Sequence, residues 1–131
     1  MQPQTVIRLE KNNEMVKLFL LKPDFKDSNA DNERLNYYCP QCAMFEGIIQ
    51  YYPHLEKLVE IHRIDFKRPR KEIIDLIGIE NQSCPVLIVD ATEANGTDIS
   101  YFTLSGDKFF VNSTELITLF LAEKFGIGHL H

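Results

Sequence analysis

Apolar residues in this chain gather in short runs, separated by stretches rich in Asp, Asn, Ser and Pro. "MVKLFLL" (15–21) is nearly continuous and of strand length, the mark of a strand covered on both faces, and Pro23 ends it. "DFKDSNADNERLN" (24–36) is polar, with Asp, Asn and Ser scattered through it, and reads as an inserted loop. From Pro40 the residues Met44, Phe45, Ile48, Ile49, Tyr51 and Tyr52 recur at helical spacing until Pro53 stops them. "LVEIHRIDF" (58–66) predicts a second strand. "RPRKEIIDLIG" predicts a helix with a proline in its first turn, apolar Ile73, Ile74 and Ile77, and a stop at Gly78. "SCPVLIVD" places a third buried strand after Pro85, and "ISYFTLSGDKFFV" predicts a hairpin around Ser-Gly-Asp. "NSTELITLFLAEKFG" is a last helix, capped by Asn112 or Ser113, with Glu115 closing a capping box and Gly126 ending it.

The order is β-α-β-α-β-β-α, an α/β domain with helices on both faces of a small mixed four-stranded sheet. If the first two strands are parallel, their connection is a right-handed crossover. Residues 1–14 are polar and weakly patterned and read as an N-terminal extension with a short strand at 5–9; residues 15–131 form the domain.

Composition narrows the function classes. A chain of 131 residues, 44% hydrophobic and 25% charged, is of single-domain size and ordinary globular make-up. No run approaches the roughly 20 apolar residues that span a bilayer, and "MQPQTVIRLEKNNE" has no secretory pattern, so no membrane association and a cytoplasmic location are expected. A formal charge of −5 argues against nucleic acid as a partner. Three cysteines are too few for a disulfide framework, and in a reducing compartment they point to catalysis, metal binding or simple burial.

The chemistry concentrates in "NYYCPQCAMFEGII" (36–49). Cys39 stands at or near the N-cap of the first helix, where backbone amides stabilise an anion and a thiol pKa is expected to fall. Pro40 suits the first helical position, where no N–H is missed. Cys42 lies one turn further in, within reach of a mixed disulfide on Cys39. Zinc is the rival reading, but a structural zinc site takes four ligands. Only Cys84, His54, His62, His129 and His131 remain to complete one, and the Gly of a zinc knuckle is missing after Cys42. No metal site is assigned.

A C-P-x-C at the first turn of a helix, with an X-Pro opening the third strand, resembles the thioredoxin superfamily. The proline between the cysteines, the short element order and the lack of a Trp before the motif resemble glutaredoxins more closely. The fuller pattern, "LLKP", "YYCPQCAMFEG", "RPR…IIDLIG", "ENQS-x-P" and a His-x-His end, is similar to a bacterial family of thioredoxin-like domains of unknown function. The resemblance covers 15–126.

It implies Cys39 as nucleophile and Cys42 as resolving thiol in thiol–disulfide exchange. It also implies a cis Cys84–Pro85 bond facing the dithiol, with the backbone there pairing with a bound thiol substrate. Cys84 would then be a third sulfur near Cys39: an alternative resolving thiol, part of a three-thiolate metal or cluster site, or a small buried hydrophobe. Arg68 and Arg70 in "KRPRK" (67–71) would hold an anionic thiol such as glutathione and stabilise the thiolate, or form a solvated charge run. Lys22 and the Ser113/Thr114 pair stand where glutaredoxins hold the two carboxylates of glutathione, although the Gly-Gly-x-Asp pattern of that subgroup is missing. The 24–36 insert would serve as a lid or docking loop. His129 and His131 read as a frayed tail or a weak metal chelate, and Tyr37 and Tyr38 as aromatic packing around the motif.

The expected function is a thiol–disulfide oxidoreductase without a bound cofactor, with glutathione or a protein disulfide as co-substrate. The alternatives are a binding module that keeps the fold without redox turnover, and a thiolate metal or cluster protein.

Overall fold

The computed structural model describes residues 15–131. The strand expected at 5–9, with the rest of the 1–14 extension, lies outside the described residues. The elements are β1 (Val16–Leu21), α1 (Pro40–Tyr51), one-turn α2 (Leu55–Leu58), β2 (Val59–Ile64), α3 (Lys71–Ile77), β3 (Val86–Val89), β4 (Thr103–Ser105), β5 (Lys108–Val111) and α4 (Thr114–Phe125). The strands form one mixed sheet in the order β2-β1-β3-β5-β4. β1 and β2 run parallel, with Val16 opposite Val59 and Leu21 opposite Ile64. Every other pairing is antiparallel.

The α/β class and the mixed sheet agree with expectation; the count of four strands does not. The hairpin pairs its second arm, β5, with β3, so its first arm becomes a fifth strand at the sheet edge. β4 is only three residues long, and Thr103 and Leu104 are exposed, so it carries little apolar signal of its own. Gly106, at φ 62, makes the turn in a left-handed conformation that suits glycine.

Boundaries shift in three further places. Leu58 closes α2 and is exposed, so the second strand begins at Val59 and ends at Ile64. Pro69 precedes α3, whose N-cap is Arg70, and is not in its first turn. Ser113 caps α4 by accepting the Leu116 amide. Glu115 is then only the second helical residue, one short of the capping-box position, and it accepts from the Ser113 hydroxyl at 3.2 Å.

β1 explains why both sheet faces are covered. Its side chains alternate, so Val16, Leu18 and Leu20 join Phe45 and Ile49 of α1 and Ile117, Phe120 and Leu121 of α4. Phe19 points the other way, into a second cluster with Ile73 and Ile77 of α3 and with Val86 and Ile88. Helices α1 and α4 thus lie on one face and α3 on the other. Burying each such Leu or Phe contributes about 1.5–3 kcal/mol, so the two layers account for the near-continuous apolar run of β1.

The 24–36 insert is a closed loop. Phe25 and Tyr37 exchange backbone hydrogen bonds of 3.0 and 2.8 Å across its base. Asp27 and Asn32 side chains accept the amides two residues on, and the Tyr37 hydroxyl donates to the Asn32 carbonyl at 2.8 Å. Phe25 also stacks on Phe66 with ring centroids 4.2 Å apart, which docks the insert on the loop after β2.

Candidate functional site

The base of the insert delivers the chain into α1. Cys39 is its N-cap, in extended backbone conformation, and Pro40 opens the helix. The Cys42 amide, one of the helix's unpaired N–H groups, donates to Cys39 Sγ across 3.1 Å. The thiol itself donates to Gln41 Oε1 at 3.8 Å. Cys39 is half-buried, with one side open to solvent.

Cys42 is different in kind. It is 2% exposed, and its sulfur accepts the Leu21 amide at the end of β1 across 3.3 Å. Burial pushes its thiol well above the usual range, the Cys39 hydrogen bond and the charges of Cys39 and Cys84 add to that, and the Leu21 amide opposes it. The two cysteines therefore divide into an outer sulfur held by one helix amide and an inner sulfur held by the sheet.

A cleft of about 340 Å³ opens beside them, with Leu21, Pro23, Tyr38, Ala43 and Glu46 in its walls. Tyr38 is largely exposed. Among the described residues Glu46 is the one charged residue lining it, and Arg63 grips that carboxylate with Nε at 2.8 Å and Nη2 at 2.9 Å. The cleft is thus apolar with a neutralised ion pair at one end.

Cys84 and Pro85 come to the same end of the sheet, and their peptide bond is cis. Cys84 is half-buried, and its charge would be felt by both other cysteines. Burial pushes its thiol up to about 11, and the Arg70 charge pulls the other way.

Arg70 does not form the accessible rim that the sequence suggests. It is 5% exposed, lies over the Phe66 ring at 5.3 Å, and donates to the carbonyls of Phe66 and Gln82. The Arg70 amide also donates to Gln82 Oε1 at 2.8 Å. An arginine with its fork engaged in this way is a clamp between loops. Arg68 remains exposed in a cleft of about 320 Å³ with Lys67 and Lys71, and its charge reaches Cys84. The Arg68–Pro69 bond is also cis.

The expected carboxylate holders are placed elsewhere. Lys22 pairs with Asp65 at 3.4 Å and lines a neighbouring cleft. Ser113 uses its hydroxyl to cap α4, where Thr114 is the first residue, and neither lines the cleft beside Cys39. Among the described residues no group of three or more His, Cys, Asp or Glu is arranged to hold a metal ion. His129 and His131 form a surface cleft with Tyr51 and Tyr52, where the Gly128 amide donates to the Tyr52 hydroxyl at 3.3 Å. No helix among the described residues is long and apolar enough to cross a membrane.

Two features escaped the sequence reading. Gln82 holds Arg70; it stands in the quoted "ENQS-x-P" stretch, but nothing in its type or spacing marked it as the partner of Arg70. Asp90 and Glu93 exchange reciprocal hydrogen bonds of 2.9 and 3.0 Å between side chain and amide. Their spacing in "DATE" is a capping-box pattern that was legible. Burial pushes the Glu93 carboxyl up to about 7.

No curated protein and no solved structure matches the chain. A family model covers nearly all of it: from residue 16 to residue 129 the chain belongs to the family described as a protein of unknown function, DUF3088.

Proposed function

We propose that this protein is a thiol–disulfide oxidoreductase in which Cys39 attacks a substrate disulfide and Cys42 resolves the mixed disulfide that results. The observation that carries the reading is the Cys42 amide donating to Cys39 Sγ at the N-terminus of α1. The amide holds that sulfur at the open start of the helix, beside the cleft, where an incoming disulfide can meet it. The difference in exposure between the two cysteines supports the division of roles. In the first step the Cys39 thiolate bonds to one substrate sulfur and the other leaves as a thiolate. In the second, Cys42 gives up its proton, bonds to Cys39 and releases the remaining substrate thiol. Two electrons pass from the protein dithiol to the substrate disulfide.

We also propose a fold of thioredoxin type. The parallel pair β1–β2, antiparallel β3 and β5 beside it, and helices α1 and α4 opposite α3 support that reading; β4 is then an added edge strand. The proposed compartment is the cytoplasm, where thiols stay reduced.

Glutathione and a protein disulfide are the proposed co-substrates, and the surroundings of Cys39 favour the protein. Glutathione carries two carboxylates, yet the cleft beside Cys39 is walled by Leu21, Pro23, Tyr38 and Ala43, and the one charged group that the described residues put there, Glu46, is already paired. Lys22 and Arg70 are engaged elsewhere. An apolar flank with an exposed Tyr suits a polypeptide segment next to a cystine.

The test is reduction of a peptide disulfide and of glutathione mixed disulfide by the wild type and by Cys39→Ser, with a chemical reductant recycling the protein. Turnover that falls to background in Cys39→Ser, with the peptide preferred, is the expected result. Equal rates in both proteins would overturn the redox reading and leave a binding module.

A further inference from the structure

Three clefts lie in series at the end of the sheet that carries Cys39. The cleft beside the dithiol has Pro23 in its wall, and Pro23 also lines a second cleft of about 340 Å³ with Lys22, Phe25 and Lys26. Asp65 and Lys67 line both that second cleft and a third of about 320 Å³, whose walls include Arg68 and Lys71. The ends of the two parallel strands set this arrangement. The Lys22 amide donates to the Ile64 carbonyl across 2.8 Å, and Phe25 stacks on Phe66 with ring centroids 4.2 Å apart. The segments after β1 and β2 therefore form the walls of one groove.

Its charge is opposite to that of the molecule. Six of the chain's 14 Lys and Arg line the second and third clefts, against three of its 19 Asp and Glu. Most of these cations are used within the fold. Arg70 clamps its loops, Lys22 pairs with Asp65, Lys26 donates to the Arg34 carbonyl at 2.7 Å, and Lys71 pairs with Asp75 at 2.9 Å. Lys67 and Arg68 are not. Both are exposed, and among the described residues neither side chain makes a hydrogen bond or an ion pair. Neighbouring like charges repel one another, so the fold gains nothing from holding these two side by side.

We propose that an acidic stretch of the substrate polypeptide lies in this groove, its carboxylates on Lys67 and Arg68, while its disulfide meets Cys39. The inference deepens the function proposed above and rests on its polypeptide substrate. A chain that enters at the apolar cleft passes Pro23 and reaches the two cations without leaving the groove. The net charge of −5 repels a polyanion from the rest of the surface, which selects a partner whose negative charge is local. The apolar flank then admits the cystine, and the basic stretch chooses among polypeptides that carry one.

The test uses three peptide disulfides of equal length, with a run of Glu, Gln or Lys placed a few residues from the cystine. Wild type is expected to reduce the Glu peptide with the lowest KM and a similar kcat, and to lose that preference as salt is added. Lys67→Ala with Arg68→Ala should raise KM for the Glu peptide about fivefold, the effect of two exposed ion pairs, and leave the Gln peptide and a small neutral disulfide unchanged. Lys67→Glu with Arg68→Glu should favour the Lys peptide. A second measurement needs no reaction: the Glu peptide with its cystine replaced by two serines should bind wild type in fluorescence anisotropy and bind the double Ala variant more weakly by the same factor. Equal KM for the Glu and Gln peptides, with no change in the double variant, overturns the proposal while leaving the redox function intact. Tighter binding of single-stranded DNA than of the Glu peptide at the same salt overturns the choice of occupant. Binding of the serine peptide without reduction of any peptide would remove the redox function and leave the groove a docking site.

Discussion

The main-chain amide of Leu21, at the end of β1, donates to the sulfur of Cys42 across 3.3 Å. This contact joins the sheet to the first turn of α1 and fixes which cysteine faces inward. With Cys42 turned to the strand, Cys39 is left at the helix start, facing the cleft.

That division predicts an order of modification. Iodoacetamide near neutral pH should label Cys39 first, Cys84 more slowly and Cys42 last, whereas in denaturant all three should react at similar rates. Mass mapping of tryptic peptides over time checks the order, with fragmentation separating Cys39 from Cys42. Equal labelling in the folded protein would contradict the assignment of outer and inner thiols.

The two arginines of the 67–71 segment should behave oppositely when removed. Arg70→Ala leaves the Phe66 and Gln82 carbonyls without their buried donor and should cost about 3 kcal/mol of stability. Arg68→Ala removes an exposed side chain and should stay within about 0.5 kcal/mol. Urea unfolding of the two variants beside the wild type measures the contrast.

Glu46→Ala should change selectivity more than stability. The Glu46–Arg63 pair is roughly half exposed on both sides, so solvent screens it and its loss should cost less than about 1 kcal/mol. Arg63 would then lose its hydrogen-bonded carboxylate beside the cleft. The rate ratio of anionic iodoacetate to neutral iodoacetamide at Cys39 should rise about threefold, and added salt should erase the difference.

Glu93 should give the protein a pH-dependent stability. Its carboxyl is raised in the folded state from an ordinary value of 4.5 to about 7, chiefly by burial. The folded chain therefore binds the proton more tightly than the unfolded chain. Glu93 contributes most below about 4.5, and that contribution is lost as pH rises to about 7. Glu93→Gln keeps an acceptor for the Asp90 amide but cannot ionise. The variant should therefore lose less stability than the wild type between those pH values, as urea midpoints at each pH would show.

Much of the fold is legible in the chain because its signals are short-range. The apolar run of β1, the helical spacing after Pro40, Gly126 past the end of α4 and Ser113 at its start are each set by a few neighbouring residues. So is the placing of Cys39 at the head of α1, and with it the candidate chemistry. The tertiary structure decided what depends on distant partners. The Ser-Gly-Asp turn announces the hairpin, but only the pairing of β5 with both β3 and β4 makes its first arm a fifth strand at the sheet edge. Arg70 looks like part of a solvated charge run until Gln82, twelve residues on, folds over it. Lys22 and Ser113 hold chemically suitable groups, but Asp65 and the first turn of α4 claim them. A side chain's type and spacing set what bonds it can make, whereas the packing of separate segments sets which of those bonds form and how deeply each charge is buried.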